Sequence, residues 1–331
     1  MSYNHGMELA QVLAEKINDI VALAGYAPSV HNTQSWRVKT RGNKIFVRVD
    51  PRYRLVDGDP TGRQTIISLG IFSEALKIAA MVNGLHASKL TFDGEEVEIH
   101  ICKSGDSDNS ERSHTIAALK SRVTDRSIYR PIEISKSTRG QIIDAAKEIT
   151  AKIWLLTDKN DVYKIAEYTS KGIGLALSNP NFRHELSTYL VVPWSKKRRG
   201  ISTSSLYIPK ILAVCEPLFM RLGIGLKQEV NLERRRWLSS SGIVLITTPG
   251  DMPDHWFEAG RAYLKVALKI EKLGLSQATS AAMVEASNYH EDVEAMLKTT
   301  QRLQGVIRIG QGSRHRVHSP RVSTKELITS S

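Results

Sequence analysis

Residues 70–85 read GIFSEALKIAAMVNGL, and residues 260–275 read GRAYLKVALKIEKLGL. Each stretch opens on a glycine, carries Ala-Leu-Lys-Ile near its middle and closes on Gly-Leu, with its two glycines 14 positions apart. Apolar residues recur at helical spacing in both, so each predicts a long buried amphipathic helix. The first glycine lets two backbones approach closely and the second ends the helix. The Ala-Leu-Lys-Ile pieces are offset by two positions, and two unrelated buried helices of like composition are the plainer alternative. If the echo is a duplication, the chain is two related halves whose long helices pack as a pseudo-symmetric pair, a single-chain counterpart of a homodimer.

Outward from these helices, the pattern alternates helices with short strands. Apolar positions at Leu9, Val12, Leu13, Ile17, Ile20 and Val21 predict a helix over Met7–Ala24, stopped by Gly25. Trp36–Lys39 and Lys44–Val49 read as a hairpin around Arg41-Gly42-Asn43. At Asp57-Gly58-Asp59-Pro60 a turn precedes the first echoed helix, with Asp59 expected to cap it, Pro60 in its first turn and its end near Asn83. Strands follow at Lys89–Phe92 and Glu95–Cys102. The polar run Ser104–Ser113 predicts a loop and divides the chain into halves at 1–113 and 114–331. Helices are expected over Thr115–Ser121, Ser137–Ile149, from Asp161 and over Asp254–Leu273, with strands at Ala151–Leu156, within Ser239–Thr248 and at Val306–Ile309.

The chain has 331 residues, 41% hydrophobic and 24% charged, enough to bury one large core or two ordinary ones and too apolar for a disordered tail. Cys102 and Cys215 lie far apart without CxxC spacing, and the first residues carry no apolar signal-like run, so a reduced, cytoplasmic protein is expected. Leu206–Leu226 is interrupted by Pro209, Lys210, Glu216, Pro217 and Arg221. It predicts a broken helix covering something apolar, within an insert near 180–226, with peripheral membrane contact as the minor alternative and no membrane span. The net charge of +12 is uneven: lysine plus arginine against aspartate plus glutamate is 13 to 14 over residues 1–115 and 33 to 20 beyond. That excess favours an anionic partner. No HExxH, GxSxG, P-loop or GxGxxG pattern occurs, and the 10 histidines have no metal-ligand spacing, so no metal is expected. Lys196-Lys197-Arg198-Arg199, after Trp194, reads as a solvated loop or a lid over an anionic site, in preference to a nucleic-acid surface.

One further stretch, Ala27-Pro28-Ser29-Val30-His31-Asn32-Thr33-Gln34-Ser35-Trp36, resembles the APSxxNxQPW signature of the nitroreductase-like flavoproteins. Other pieces resemble their single-chain, Acg-like subgroup. They are Asp59-Pro60-Thr61-Gly62-Arg63, Arg122-x-Thr124-x-Arg126-x-x-Tyr129, Arg183-His184-Glu185-Leu186, Trp256-x-x-Ala259-Gly260-Arg261-Ala262 and Arg308-Ile309-Gly310-x-Gly312. Their order along nearly the whole chain is that of the subgroup. The resemblance implies an α+β, nitroreductase-like fold in which two halves form a pseudo-dimer with long central helices and a helical lid insert.

The resemblance also implies one FMN site at the junction of the halves. Arg122, Thr124 and Arg126 alternate like one face of an extended segment, and two guanidinium forks with a hydroxyl suit a phosphate, although a solvated charged turn gives the same pattern. Ser29, Asn32 and Gln34 follow a helix end and are expected to reach the flavin, unless they only fold back on their own turn. His31 either donates to a flavin edge or packs in the turn. Arg321 is the best match to a basic group closing over the phosphate, with Arg314 and Arg316 as alternatives. Three departures stand out: Ser35 for the usual proline, Thr124 for serine and Gln311 for an aromatic.

The implied reaction is ping-pong hydride transfer from NAD(P)H through flavin N5 to a quinone-like or nitro-aromatic small-molecule acceptor, with no side chain marked as catalytic. The alternative is an FMN-sequestering or storage protein with a lidded flavin. A monomer acting as a pseudo-dimer, open to further oligomerisation, with no nucleic-acid partner and no stable membrane association, completes the expectation.

Overall fold

The computed structural model describes residues 2–103, 109–313 and 315–329. Residues 104–108 of the polar run Ser104–Ser113 and Arg314 lie outside the described residues, whereas the expected boundary between 113 and 114 falls within a helix, Asn109–Ser121.

Helix α1 (Ser2–Ala24) ends at Gly25, whose N–H still donates to the Val21 carbonyl. Strands β1 (Trp36–Arg41) and β2 (Lys44–Val49) form the expected hairpin. Helix α2 (Arg63–Val82) starts later than the sequence suggests, because Gly62 in a left-handed conformation turns the chain first. Pro60 therefore stays outside the helix, while the buried Asp59 carboxylate reaches over the turn to accept from the Gln64 and Thr65 amides at 2.9 and 2.8 Å. Strands β3 (Leu85–Phe92) and β4 (Glu96–Lys103) complete an antiparallel sheet of order β1-β2-β4-β3.

Helix α3 (Asn109–Ser121) claims residues expected in a loop; its polar start offers no apolar period, and Thr115, Ala118 and Leu119 anchor it. Helix α4 (Lys136–Ile143) is shorter than expected and tightens into a 3-10 turn. Then come β5 (Lys152–Leu156), α5 (Lys159–Ser178), α6 (Pro180–Tyr189), the two-residue strands β6 (Leu190–Val191) and β7 (Ile201–Ser202), α7 (Lys210–Leu222) and α8 (Leu226–Leu238). After these lie β8 (Gly242–Thr248), α9 (Pro253–Lys272), β9 (Ser276–Thr279), α10 (Ala282–Glu285), α11 (Tyr289–Met296), β10 (Arg302–Gly310) and α12 (Thr324–Leu327). Strand β9 escaped the sequence reading because Ser-Gln-Ala-Thr carries no apolar alternation; its pairing to β10 makes it a strand.

The second sheet has order β5-β8-β10-β9 and is antiparallel throughout. That repeats the first: two strands, a long helix, two strands, with the last strand inside the third. Helix α1 before β1 has its counterpart in α4 before β5. Between β5 and β8, where the first half needs only the turn after Arg41, the second half carries residues 157–241. The insert is thus larger than the 180–226 expected, since α5 packs on α8 as part of the same layer.

Helices α2 and α9 meet at the pseudo-twofold axis. A β-carbon on Gly70 would overlap the Phe257 carbonyl, and one on Gly260 would overlap the Ile67 carbonyl, each glycine facing the residue three before the other. Gly84 and Gly274, with φ of 74° and 72°, end the two helices alike. The duplication therefore registers on its glycines, and the two Ala-Leu-Lys-Ile pieces do not correspond in space.

Both sheets press apolar side chains on this pair. Ile45, Val47, Val97 and Ile99 alternate inward from the first sheet, and Val244 and Ile246 from β8 join the same core. Ile243 and Leu245, on the other face of β8, pack with Trp237, Ile165 and Met283 beneath the insert, so β8 is buried over its whole length. The C-terminal stretch crosses back to the first half: Leu327 is buried there, and Thr329 donates to the Val38 carbonyl at 2.8 Å.

Gly70→Ala and Gly260→Ala are each expected to destabilise the fold by about 1–3 kcal/mol or more, read as a lower urea midpoint, because backbone cannot yield as a flexible side chain can. Gly140→Ala, on α4 with open space at its β-carbon, is the control and should be neutral or stabilising by about 0.5–1 kcal/mol.

Candidate functional site

The segment between α1 and β1 is bent by an unusual backbone. His31, Asn32 and Gln34 have φ of 44°, 55° and 48°, a left-handed region that costs non-glycine residues energy and persists only where surroundings impose it. Those surroundings are visible. The Ser29 hydroxyl accepts from the Gln34 amide at 3.0 Å, Val30 N–H donates to Ser68 Oγ on α2 at 3.0 Å, and Trp36 stacks on Phe72 at 4.2 Å.

Facing this loop is the extended chain after α3. Buried Asp125 fixes it: the Asp125 amide donates to the Gln277 carbonyl, while its carboxylate accepts from the Ser127 and Ser313 amides. Arg308 braces it from β10, donating to the carbonyls of Asp125 and Ser127 with its guanidinium 3.9 Å from the centre of the Tyr129 ring. A β-carbon on Gly312 would overlap the Asp125 carboxylate, which explains a glycine there. Gln311 bonds Arg130 through its backbone and is exposed.

Loop, extended chain, C-terminal stretch and insert close around one cavity of about 60 Å³. Ser29, His31 and Asn32 line it from the loop, Arg122, Thr124 and Arg126 from the extended chain, Arg321 from the C-terminal stretch, and Ile201 and Ser205 from the insert. Seven of the eight residues singled out from sequence thus share one cavity. Gln34 does not line it. That side chain is fully buried behind it, accepting from the Val322 amide at 3.0 Å and donating to the Arg198 carbonyl at 2.8 Å. Among the alternatives to Arg321, Arg316 is committed to Glu271 through Nη1 and Nη2.

The cavity is cationic, with Glu271 and Glu233 acting on Arg122 and Arg126 only at a distance. Arg122 Nε and Nη1 are buried without a hydrogen-bond partner, as is Arg321 Nε. Arg126 donates only a long bond of 3.4 Å to Ser205 Oγ, and none of the three forms an ion pair among the described residues. Burial holds the Arg122 and Arg126 guanidiniums below the ordinary arginine value. Burial, then the neighbouring Arg122 charge, takes Arg321 down to about 10. Three like charges, Arg122 buried and Arg126 and Arg321 half-buried, are costly together unless an anion joins them. The donor set suits a phosphate. The space has room for several waters, at roughly 10–15 Å³ for each, beside the insert loop.

That loop is latched onto the signature residues. Asn32 Nδ2 donates to the carbonyls of Gly200 and Pro320 at 2.9 and 3.0 Å, and its Oδ1 accepts from Arg321 Nη1 at 2.7 Å. The sequence reading passed over Tyr263, which lies within electrostatic reach of Arg122 and Arg126. Its place three residues past Gly260, where the first copy has Ser73, was the available signal.

His31 sits between Phe182 and Tyr189 of the insert, at 6.3 and 6.0 Å between ring centres. Burial first, and the Arg126 charge second, lower its pKa from 6.5 to about 4. The unfolded chain therefore binds a proton that the folded chain refuses, so this contribution to stability is complete above about pH 6.5 and is lost as pH falls to about 4. His31→Asn, which tolerates the left-handed backbone, is expected to flatten the acid limb of urea stability over that window; an unchanged slope would remove the role.

No family model matches the chain. A protein of Mycobacterium tuberculosis carrying the provisional name NAD(P)H nitroreductase is 30% identical over 120 residues, which is 35% of this chain and 35% of that one. The match thus spans about a third of that relative's length. An uncharacterized protein of the same organism is 24% identical over 311 residues, 89% of this chain and 86% of its own. Among solved structures, the FMN-dependent nitroreductase NfnB from Mycobacterium smegmatis in complex with NADPH aligns with 66% of this chain and 98% of its own, at 16% identity and a TM-score of 0.43. A nitroreductase with bound FMN from Desulfitobacterium hafniense covers the same shares at 11% identity and a TM-score of 0.43. Scores this low leave the architecture to rest on the chain's own duplicated topology. In sequence, over about a third of its length, the chain is similar to a nitroreductase-like protein.

Proposed function

We propose that the cavity holds the phosphate of a flavin mononucleotide and that the protein is an FMN-dependent NAD(P)H oxidoreductase of the nitroreductase type, acting on a small-molecule acceptor. The observation that carries this reading is the convergence of Arg122, Arg126 and Arg321, without carboxylate partners, beside Ser29 and Asn32 at the seam of the two halves. Arg122 and Arg126 would grip the phosphate with Thr124 between them, and Arg321, oriented by Asn32 Oδ1, would close it from the C-terminal side. When bound, a flavin supplies the hydride chemistry itself, so the chain need only hold, orient and shield it.

A second reading has an observation of its own. The insert loop spends its Arg198 and Gly200 carbonyls on Gln34 and Asn32 and sets Ile201 and Ser205 over the cavity. A loop latched this way favours a protein that sequesters FMN and turns over little.

Arg122→Ala with Arg126→Ala is expected to weaken FMN binding by about a hundredfold or more, from two charged hydrogen-bond donors at about 1.5–3 kcal/mol each, measured by quenching of flavin fluorescence. Unchanged affinity would sink the phosphate site. Anaerobic NADPH should bleach the bound flavin if the protein is an oxidoreductase. A flavin that bleaches only after residues 192–199 are replaced by a short Gly-Ser turn supports sequestration instead.

A further inference from the structure

Helix α7 has apolar residues on two sides and neighbours on only one. Ala213 and Met220 face inward, and Met220 packs with Leu177 and Leu190 in a small core. Ile211, Val214, Leu218 and Leu222 recur every three or four residues along the opposite side. Ile211 is 74% exposed, Leu218 56% and Leu222 59%, with Ile224 just beyond at 52%. Monomeric proteins rarely leave so continuous an apolar stripe in water without a partner for it.

Charge decides between the partners. From residue 190 to 227 the insert holds seven basic residues and one acidic residue, Glu216. Arg199 is spent on Glu326 and the Tyr53 ring, but Lys210, Arg221 and Lys227 beside the stripe are exposed, as are Lys196, Lys197 and Arg198. Trp194, which leads that run, is 68% exposed. A second copy of this chain would bring the same cations against each other. A span is ruled out for α7 by its 13 residues and internal Pro217, and among the described residues α2, long and apolar enough to cross a membrane, is 72% buried in the core.

We propose that the insert docks this protein on an anionic lipid bilayer, with α7 lying in the interface plane, its outer stripe among the acyl chains and its lysines and arginines at the headgroups. Long basic side chains reach sideways to phosphate while their stems stay apolar, and an exposed indole suits the same depth. Such docking runs against the expectation of no stable membrane association and takes up the peripheral contact that was the minor alternative for Leu206–Leu226. The proposal is independent of the flavin reading, so the two can fail separately.

Co-sedimentation of the full chain with vesicles of equimolar phosphatidylglycerol and phosphatidylcholine, against pure phosphatidylcholine, tests it. Binding is expected to the anionic vesicles only and to fall with salt. Lys196→Glu with Lys197→Glu should lower partitioning about tenfold or more. Ile211→Glu with Leu218→Glu, at exposed positions and checked for an unchanged thermal melt, should abolish it. Failure of the wild-type chain to pellet with anionic vesicles overturns the proposal. So does self-association in sedimentation velocity that the Ile211→Glu, Leu218→Glu variant removes, which would make the stripe an interface between copies. Binding equally strong in the apolar variant would overturn the role of α7.

Discussion

The contact of α2 with α9 sets the geometry of everything else. At Gly70 and Gly260 the two backbones lie closer than any side chain permits, each glycine over the carbonyl of the residue three before its counterpart. A pair of helices that close cannot slide or separate without losing the core on both sides, because Phe72, Leu76, Phe257 and Leu264 are buried around it. The two sheets are consequently held at a fixed separation, and the loop before β1 is brought against the chain after α3. The site is a by-product of that seam: neither half contains it alone.

The seam also explains how an expensive site survives. Three non-glycine residues in left-handed geometry cost on the order of 1–3 kcal/mol each, and three guanidiniums without an ion pair among the described residues add to that cost. The loop is offset by bonds to every element around it: Ser68 on α2, Gly200 and Arg198 in the insert, Pro320 and Val322 in the C-terminal stretch. Arg308, Asp125 and Gly312 do the same for the facing chain. Their role is positioning, and it leaves Arg122, Arg126 and Thr124 free to meet an anion.

The halves have diverged around the cavity. The first sheet meets the core on one face, whereas β8 is buried on both because the insert covers its far side. That insert replaces a tight turn with four helices, lends Ser205 and Ile201 to the cavity and carries the exposed stripe on α7. Tyr263 and Ser73, equivalent across the axis, differ in the same sense: only one side of the pseudo-twofold faces the arginines.

Local pattern determined most of the regular structure. Helical period and terminating glycines gave α1, α2 and α9, alternation gave β1, β2 and β4, and the Gly70–Gly84 and Gly260–Gly274 spacing announced the duplication. The residues Ser29, His31, Asn32, Arg122, Thr124, Arg126 and Arg321 were legible as a set through the resemblance to the flavoprotein signature, with Arg122, Thr124 and Arg126 also of types that suit a phosphate, and the cavity gathers them. Tertiary structure decided what spacing cannot carry. It made a strand of polar Ser276–Thr279, placed Gln34 behind the cavity instead of in it, committed Arg316 to Glu271 and sent the C-terminal stretch back to the first sheet. Each depends on a partner more than twenty residues away. Periodicity records only which way a side chain points from its own backbone, whereas a strand pairing, an ion pair or an unpaired buried arginine is a property of two distant segments together.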